Sequence, residues 1–338
     1  MIKIDKKLFK QICEVQTVTS ETDRMSLFLY DWLDSKGFNY TFDKYGNIFV
    51  NPELERVPCM VAHIDTVHDI VDDLTVFSAG NIWTGFDKTT MRQSGIGGDD
   101  KVGIYITLEL LTLHNMKAAF FVDEEAGCLG SGACDLKFFK DCKYILQCDR
   151  KGNKDFITSI GGNKLSSATF ISDVKKIIYG YGYDFCAGLI TDVGELTDRK
   201  VGISTANISC GYYNPHQASE YINLDDVANC MNMCSDIFEN LISSYPHINK
   251  YQKPKYSDNW YGSGSFNAKD VVKRYYGNGA SSWGAYNYRT KKYDYDVIPA
   301  SSHNEKAVYS EDHKDFIIFK SINNDNKQKD FFGDGDGI

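Results

Sequence analysis

Ala62-His63-Ile64-Asp65-Thr66 closes an apolar run that begins at Val57, and the way this run ends decides how the rest of the chain reads. Val57 to Ala62 has the composition of a strand buried on both faces. Side chains alternate along a strand with period two, so a strand that stops on His-x-Asp points both polar groups to one side. Imidazole is a preferred metal ligand, and a nearby carboxylate fixes its tautomer. A His-x-Asp pair serves equally as an ordinary loop contact, and what stands at the ends of later strands separates the two.

Two more apolar runs end in the same way. Lys117 to Val122 stops at Asp123-Glu124-Glu125-Ala126-Gly127, and Tyr144 to Cys148 stops at Asp149-Arg150-Lys151-Gly152. Three consecutive acids raise one another's pKa, a cost that either a dication or a solvated turn removes. Between these strands, Gly95-Ile96-Gly97-Gly98-Asp99-Asp100-Lys101-Val102-Gly103 leads into a helix from Ile104 to Leu113. Acids suit a helix N-terminus, so Asp99 and Asp100 read either as a capped start or as ligands. Further on, Val201 to Ser209 is apolar and β-prone and leads through Gly211-Tyr212-Tyr213-Asn214-Pro215 to His216.

Strands and helices alternate around these motifs. Residues 5–36 read as two helices, with Leu8, Ile12 and Val15 on the apolar face of the first and Gly37 ending the second. A hairpin follows around Lys44 to Asn47, then mixed strand and loop between Asp69 and Gly95. Residues 154–170 read as further strand, Ser172 to Tyr181 as a helix, and Thr191 to Leu196 as a loop or helix start. Asn223 to Asp226 caps a long helix reaching about Ser243, with Val227, Met231, Cys234, Ile237, Phe238 and Leu241 inward. The pattern predicts an α/β fold with a mixed, largely parallel central sheet flanked by helices, in which ligand sites lie at the carboxyl ends of the strands. Residues 1–245 form the expected catalytic domain. Residues 246–338 are a polar, Tyr-rich, irregular extension with a helical piece at Ala268–Tyr276, a strand at Phe316–Phe319 and a disordered end. Its aromatic residues, among them Trp260, Tyr261 and Trp283, either bind a partner or pack on the main domain.

Composition narrows the function classes. With 338 residues, a net charge of −9 and a pI near 5.3, the chain lacks the basic footprint of a nucleic-acid or anionic-membrane binder. No apolar run reaches the roughly 20 residues of a membrane span, and the N-terminus lacks the apolar core of a signal peptide. The ten cysteines form no CxxC pair or framework spacing and lie mostly in apolar segments, as reduced core thiols of a cytoplasmic protein do.

Together the strand ends offer His63, Asp65, Asp99, Glu124, Glu125, Asp149 and His216. Two histidines among several carboxylates are the donor mix of a dinuclear zinc site, which needs a bridging carboxylate, further ligands on each side and an uncoordinated acid as base. In this order the motifs resemble the co-catalytic zinc exopeptidases, the superfamily of peptidase T, the aminoacylases and related aminopeptidases. The resemblance covers residues 1 to about 245 and rests on His63-Ile64-Asp65, Gly97 to Gly103, Asp123 to Gly127, Asp149 and His216. It implies two Zn2+ ions, with Co2+ or Mn2+ as alternatives. It implies His63 and Asp149 on one, Glu125 and His216 on the other, and Asp99 bridging. Asp65 would orient His63, Glu124 would act as general base, and Asp100 would be structural. The implied activity is hydrolysis of short peptides; removal of the acyl group from N-acyl amino acids and catalytically silent peptide binding are the alternatives.

One departure matters. Only 66 residues separate Asp149 from His216, too few for the inserted lid domain of peptidase T together with the sheet strands. The lid's catalytic groups therefore do not carry over. Tyr212 and Tyr213 are candidates for oxyanion stabilisation or for packing. Thr191, Asp192 and Glu195 either line the substrate pocket or sit in a surface loop.

Overall fold

The computed structural model describes residues 2–249, 305–310 and 315–320. Two helices open the chain, α1 (Lys6–Glu14) and α2 (Asp23–Lys36). Asp5 caps α1 by accepting from the N–H groups of Lys7 and Leu8, and Gly37 ends α2 at φ 75°, a left-handed conformation that glycine adopts without a Cβ clash. The buried face of α1 is Phe9, Ile12 and Cys13, one position round from the Leu8–Ile12–Val15 face expected, and Leu8 and Val15 pack only partly. Phe9 prevails because its ring stacks on Tyr105 at 4.3 Å and meets Trp83 at 5.4 Å.

The main sheet draws on β1 (Tyr40–Phe42), β2 (Ile48–Val50), β3 (Cys59–His63), β7 (Lys117–Phe121), β8 (Ile145–Arg150), β9 (Asp155–Ile160), β10 (Asn163–Lys164), β11 (Asp184–Gly188) and β12 (Thr205–Ser209). Its order is β1-β2-β7-β3-β8-β12-β9-β10, with β11 beside β9. The central run β7-β3-β8-β12 is parallel, whereas β1, β2 and β10 pair antiparallel. Every residue of β3, β7 and β12 is buried, as befits strands covered on both faces. Flanking helices are α3 (Gly98–Leu113), α4 (Leu129–Ala133), α5 (Ala168–Gly180), α6 (Asp192–Asp198) and α7 (Leu224–Asn240). All six inward residues expected on α7 are buried, and Asn223 caps it.

A second, antiparallel sheet comprises β4 (Leu74–Ala79), β5 (Ile82–Asp87), β6 (Arg92–Ser94), β13 (Tyr212–Tyr213) and β14 (Tyr221–Asn223), in the order β13-β14-β5-β4 with β6 on β5. It holds the turn before α3 on one side and the β13–β14 connection on the other.

Two stretches differ from expectation. The segment 154–170 contains β9 and β10 but turns helical at Ala168, because Ser167 Oγ accepts from the Phe170 N–H and starts α5 four residues before Ser172. Asp184–Gly188, not anticipated as strand, joins β9 in parallel at the edge. Between Asp149 and His216 the described chain is consumed by β9 to β12, α5 and α6, so the expected absence of an inserted lid has a direct cause: these residues complete the sheet.

The chain divides into two units, Met1–Val297 and Ile298–Ile338. The described part of the second is an antiparallel hairpin, β15 (Glu305–Ser310) with β16 (Asp315–Lys320), which contains the expected strand at Phe316–Phe319. The expected helix at Ala268–Tyr276, the aromatic residues named in the extension and the chain end lie outside the described residues.

Candidate metal centre

Parallel strands β3, β7 and β8 end on one edge, and they bring their terminal polar residues together there. His63 is the last residue of β3 and fully buried. Its Nε2 lies 3.1 Å from Asp99 Oδ1, 3.6 Å from Asp149 Oδ1 and 4.0 Å from Glu124 Oε2. His216, on the β13–β14 connection, places Nε2 3.4 Å from Asp99 Oδ2 and 3.1 Å from Glu125 Oε1. The two oxygens of Asp99 thus face two different histidines. Donor atoms of His63, Asp99 and Asp149 fall within 4.8 Å of one another, as do those of Asp99, Glu125 and His216 and those of His63, Glu124 and Glu125. Donors sharing one zinc at bonds of about 2 Å lie roughly 3–4 Å apart, so these groupings fit such an ion.

One atom supports the fit independently. Glu125 Oε1 is buried and accepts no hydrogen bond, although His216 Nε2 is only 3.1 Å away. Contact without hydrogen-bond alignment is the relation expected of two lone pairs that share a cation. The electrostatics agree. Burial, then the Asp99 charge, pushes Asp149 well above the usual carboxylate range, and burial with Asp149 and Asp192 does the same to Glu124. For Asp99 burial acts upward as well, but hydrogen bonds with His216 and His63 outweigh it and hold the carboxyl far below normal. Burial alone would lower His63, yet Asp149, Asp65 and Asp99 raise it well above the ordinary imidazole value. The Asp99 and Glu125 carboxylates beside it raise His216 to about 10. A cluster that forces protons onto its histidines is one that attracts positive charge.

Surrounding side chains orient these donors. His63 Nδ1 is 3.0 Å from the main-chain oxygen of Asp65, while the nearer carboxylate oxygen of Asp65 is 3.5 Å away. The Asp65 carboxylate instead accepts from the Glu124 N–H at 2.9 Å, the Glu125 N–H at 3.3 Å and Thr19 Oγ1 at 3.0 Å. It therefore ties β3 to the acidic turn after β7. Asp99 and Asp100 divide the two roles open to them: Asp99 faces the histidines, whereas the buried Asp100 accepts from the Gly103 N–H at 3.0 Å and the His63 N–H at 3.2 Å. Asp100 is the helix-start acid, and it joins α3 to β3.

Several participants gave no motif. Gln147 donates to Asp149 Oδ2 at 3.1 Å and to Asp192 Oδ2 at 3.2 Å, and Asn207 Nδ2 donates to the Asp149 carbonyl at 2.8 Å. A glutamine inside the apolar run Tyr144–Cys148 is the available sequence signal, since a buried amide must be satisfied. Thr191 and Asp192 are buried, not in a surface loop: Thr191 Oγ1 is 2.8 Å from Gln147 Oε1, and Asp192 accepts from Ser131 Oγ at 2.6 Å. Burial raises Asp192 to about 6. The two tyrosines separate. Tyr212 is buried and its hydroxyl lies 3.4 Å from Asp149 Oδ1, whereas Tyr213 donates to Asp226 at 2.7 Å and turns away. An open cleft of about 430 Å3 is lined by Lys151, Gly152, Asp155, Tyr213, Asn214, Pro215 and Gln217, and none of the centre's donors is among its lining residues.

The fold that carries this centre is shared with solved peptidases. About 70% of the chain aligns over 97% of the aminopeptidase PepT of Bacillus cereus, at TM-score 0.58 and 13% identity. A tripeptidase of Staphylococcus aureus gives TM-score 0.56 at 11% identity, with the same shares of the two chains covered. An aminopeptidase of the archaeon Desulfurococcus kamchatkensis gives 0.55 at 14% identity, over 69% of this chain and 94% of that one. The α/β fold expected from the motifs is thus the fold of these solved peptidases. No protein-family profile and no curated sequence matches the chain. No helix among the described residues is long and apolar enough to cross a membrane.

Proposed function

We propose that the chain is a metal-dependent exopeptidase, an aminopeptidase acting on short peptides, with residues 1–245 as its catalytic domain. Asp99 carries the reading: one carboxylate presents Oδ1 to His63 and Oδ2 to His216, with Asp149 and Glu125 completing the two sides. His63 and Asp149 would hold one divalent ion, Glu125 and His216 the other, with Asp99 between them; zinc suits the mixed N and O donors. Such a pair supplies Lewis acidity for the scissile carbonyl and a more acidic water. Glu124 is left for the proton. Its carboxyl is raised by burial, which suits a group that takes a proton from water and passes it to the leaving amine. The Asp65 carboxylate fixes its backbone, and Cys128 Sγ lies 3.5 Å from its Oε1. Tyr212, kept neutral by burial, is the tyrosine whose hydroxyl reaches the centre. Fold neighbours that are aminopeptidases and a tripeptidase favour peptides over N-acyl amino acids.

Glu124→Gln tests the reading. Loss of a general base costs typically ~10²–10⁴-fold in kcat, with bound metal unchanged. Full activity at full metal content would remove Glu124 from that role. Loss of metal along with activity would make it a ligand, as its grouping with His63 and Glu125 allows. Comparing release of free amino acid from tripeptides with that from N-acetyl amino acids decides the substrate class.

A further inference from the structure

Glu220 stands outside every motif of the sequence, yet it is fully buried beside the centre. Its Oε2 accepts from the Gly97 N–H at 2.7 Å and lies 2.8 Å from His68 Nε2, and its Oε1 accepts from the Asp99 N–H at 3.1 Å. One carboxylate therefore grips both ends of the Gly97-Gly98-Asp99 turn. Its own backbone is anchored on the opposite side. The Glu220 N–H donates to the Gln217 carbonyl at 3.0 Å, closing the loop that carries His216, and Thr84 Oγ1 donates to the Glu220 carbonyl at 3.0 Å.

The glycines of the turn answer to the same pair. A Cβ on Gly95 would stand 2.1 Å from the His68 ring, so only glycine lets that imidazole lie against the turn and reach Glu220. On Gly98 a Cβ would meet the Tyr212 Cβ at 2.7 Å, so the turn presses directly on β13, from which the His216 loop departs. Gly97, at φ 69°, is in the left-handed region.

We infer that Glu220, with His68 as its partner, is the positioning residue that sets the separation of Asp99 from His216 and thereby the affinity of the second cation position. The inference rests on the proposed reading of Asp99, Glu125 and His216 as a cation site. Its physical basis is that the two donors sit on different segments, the α3 start and the β13–β14 loop, and Glu220 is bonded to both. His63 and Asp149 are held by β3 and β8 without its help, so the first position feels Glu220 only through Asp99 and should change far less than the second. Residues that orient ligands typically govern metal affinity by about 10–100-fold.

The test titrates metal-free protein with Co2+, following d–d absorption and bound metal, for wild type, Glu220→Gln and His68→Gln. Ile178→Val, a core change on α5, serves as a control for general destabilisation. The expected result is two equivalents in wild type and in Ile178→Val. In Glu220→Gln one equivalent stays tight, the other is weakened about 10–100-fold, and the spectrum of the weakened ion changes. His68→Gln, which keeps the carboxylate, weakens the same equivalent less and reports on the pair if Glu220→Gln does not fold. Unchanged affinity for both equivalents in the folded variants overturns the inference, as does equal weakening of both. Wild type that binds no Co2+ would instead overturn the reading of the site itself.

Discussion

Asp65→Asn is the most informative perturbation of the centre, because the structure assigns its carboxylate and its carbonyl to different tasks. The carboxylate accepts three donors: the Glu124 N–H at 2.9 Å on Oδ1, and the Glu125 N–H at 3.3 Å and Thr19 Oγ1 at 3.0 Å on Oδ2. The carbonyl faces His63 Nδ1 at 3.0 Å. Asparagine preserves the carbonyl and one side-chain oxygen. Whichever way its amide turns, an NH2 group faces at least one buried backbone N–H, and the remaining bonds lose their charge. A hydrogen bond to a charged group is worth about 1.5–3 kcal/mol, so one bond lost and another weakened costs about 2–4 kcal/mol. For a domain of this size that lowers Tm by about 4–16 °C. The melt is followed by circular dichroism on metal-free protein, so that cation binding does not contribute. Bound metal and tripeptide hydrolysis are measured in parallel. Because the carbonyl still holds His63, the His63 side should retain its cation, while displacement of Glu124 and Glu125 lowers kcat by about 10²-fold, the cost of a misplacement near 1 Å. An unchanged Tm would refute the hydrogen-bond accounting. Selective loss of the His63-side cation would show that the carboxylate, not the carbonyl, aims the imidazole.

Cation uptake should release protons. His216 is raised to about 10 in the metal-free protein and His63 lies well above its ordinary value, so both carry protons at neutral pH that a metal must displace. The sign is fixed by the direction: protonated His216 stabilises the metal-free fold fully below its unfolded value of about 6.5, and that contribution is lost as pH rises through about 10. Metal affinity runs the other way and falls as pH falls. Calorimetry at pH 7 in buffers of different ionisation enthalpy should report net proton release; release of none would count against both shifts. The thiols give an independent check on the fold. Nine cysteines are buried and Cys186 is exposed, so a thiol reagent should modify one group in the native protein and all ten after denaturation. Rapid native modification of Cys148, Cys230 or Cys234, whose sulfurs pack 3.7 Å apart across β8 and α7, would mean that this part of the core is open.

Much of this was written along the chain itself. The apolar runs ending at His63, Glu124 and Asp149 are legible because a strand buried on both faces admits few polar residues, and those that stand at its end are conspicuous. Helix α7 was legible for a similar reason: its inward residues repeat at the helical period and Asn223 caps it. Local order misled where a single contact settled the outcome, as when the stacking of Phe9 on Tyr105 rotated the face of α1. Most of the parts of the centre that orient the ligands left no trace, because Glu220, His68 and Asn207 act through partners as far as 152 residues away, and only Gln147 stood out, as an amide inside an apolar run. Sequence determined which side chains stand at the strand ends, since alternation and burial are local properties of the chain. Only the tertiary structure decided that the Asp65 carbonyl rather than its carboxylate lies nearest the His63 ring, that Tyr212 rather than Tyr213 reaches the centre, and that one buried glutamate ties the Asp99 turn to the His216 loop. Those outcomes depend on distances between segments that meet only when two sheets pack around α3.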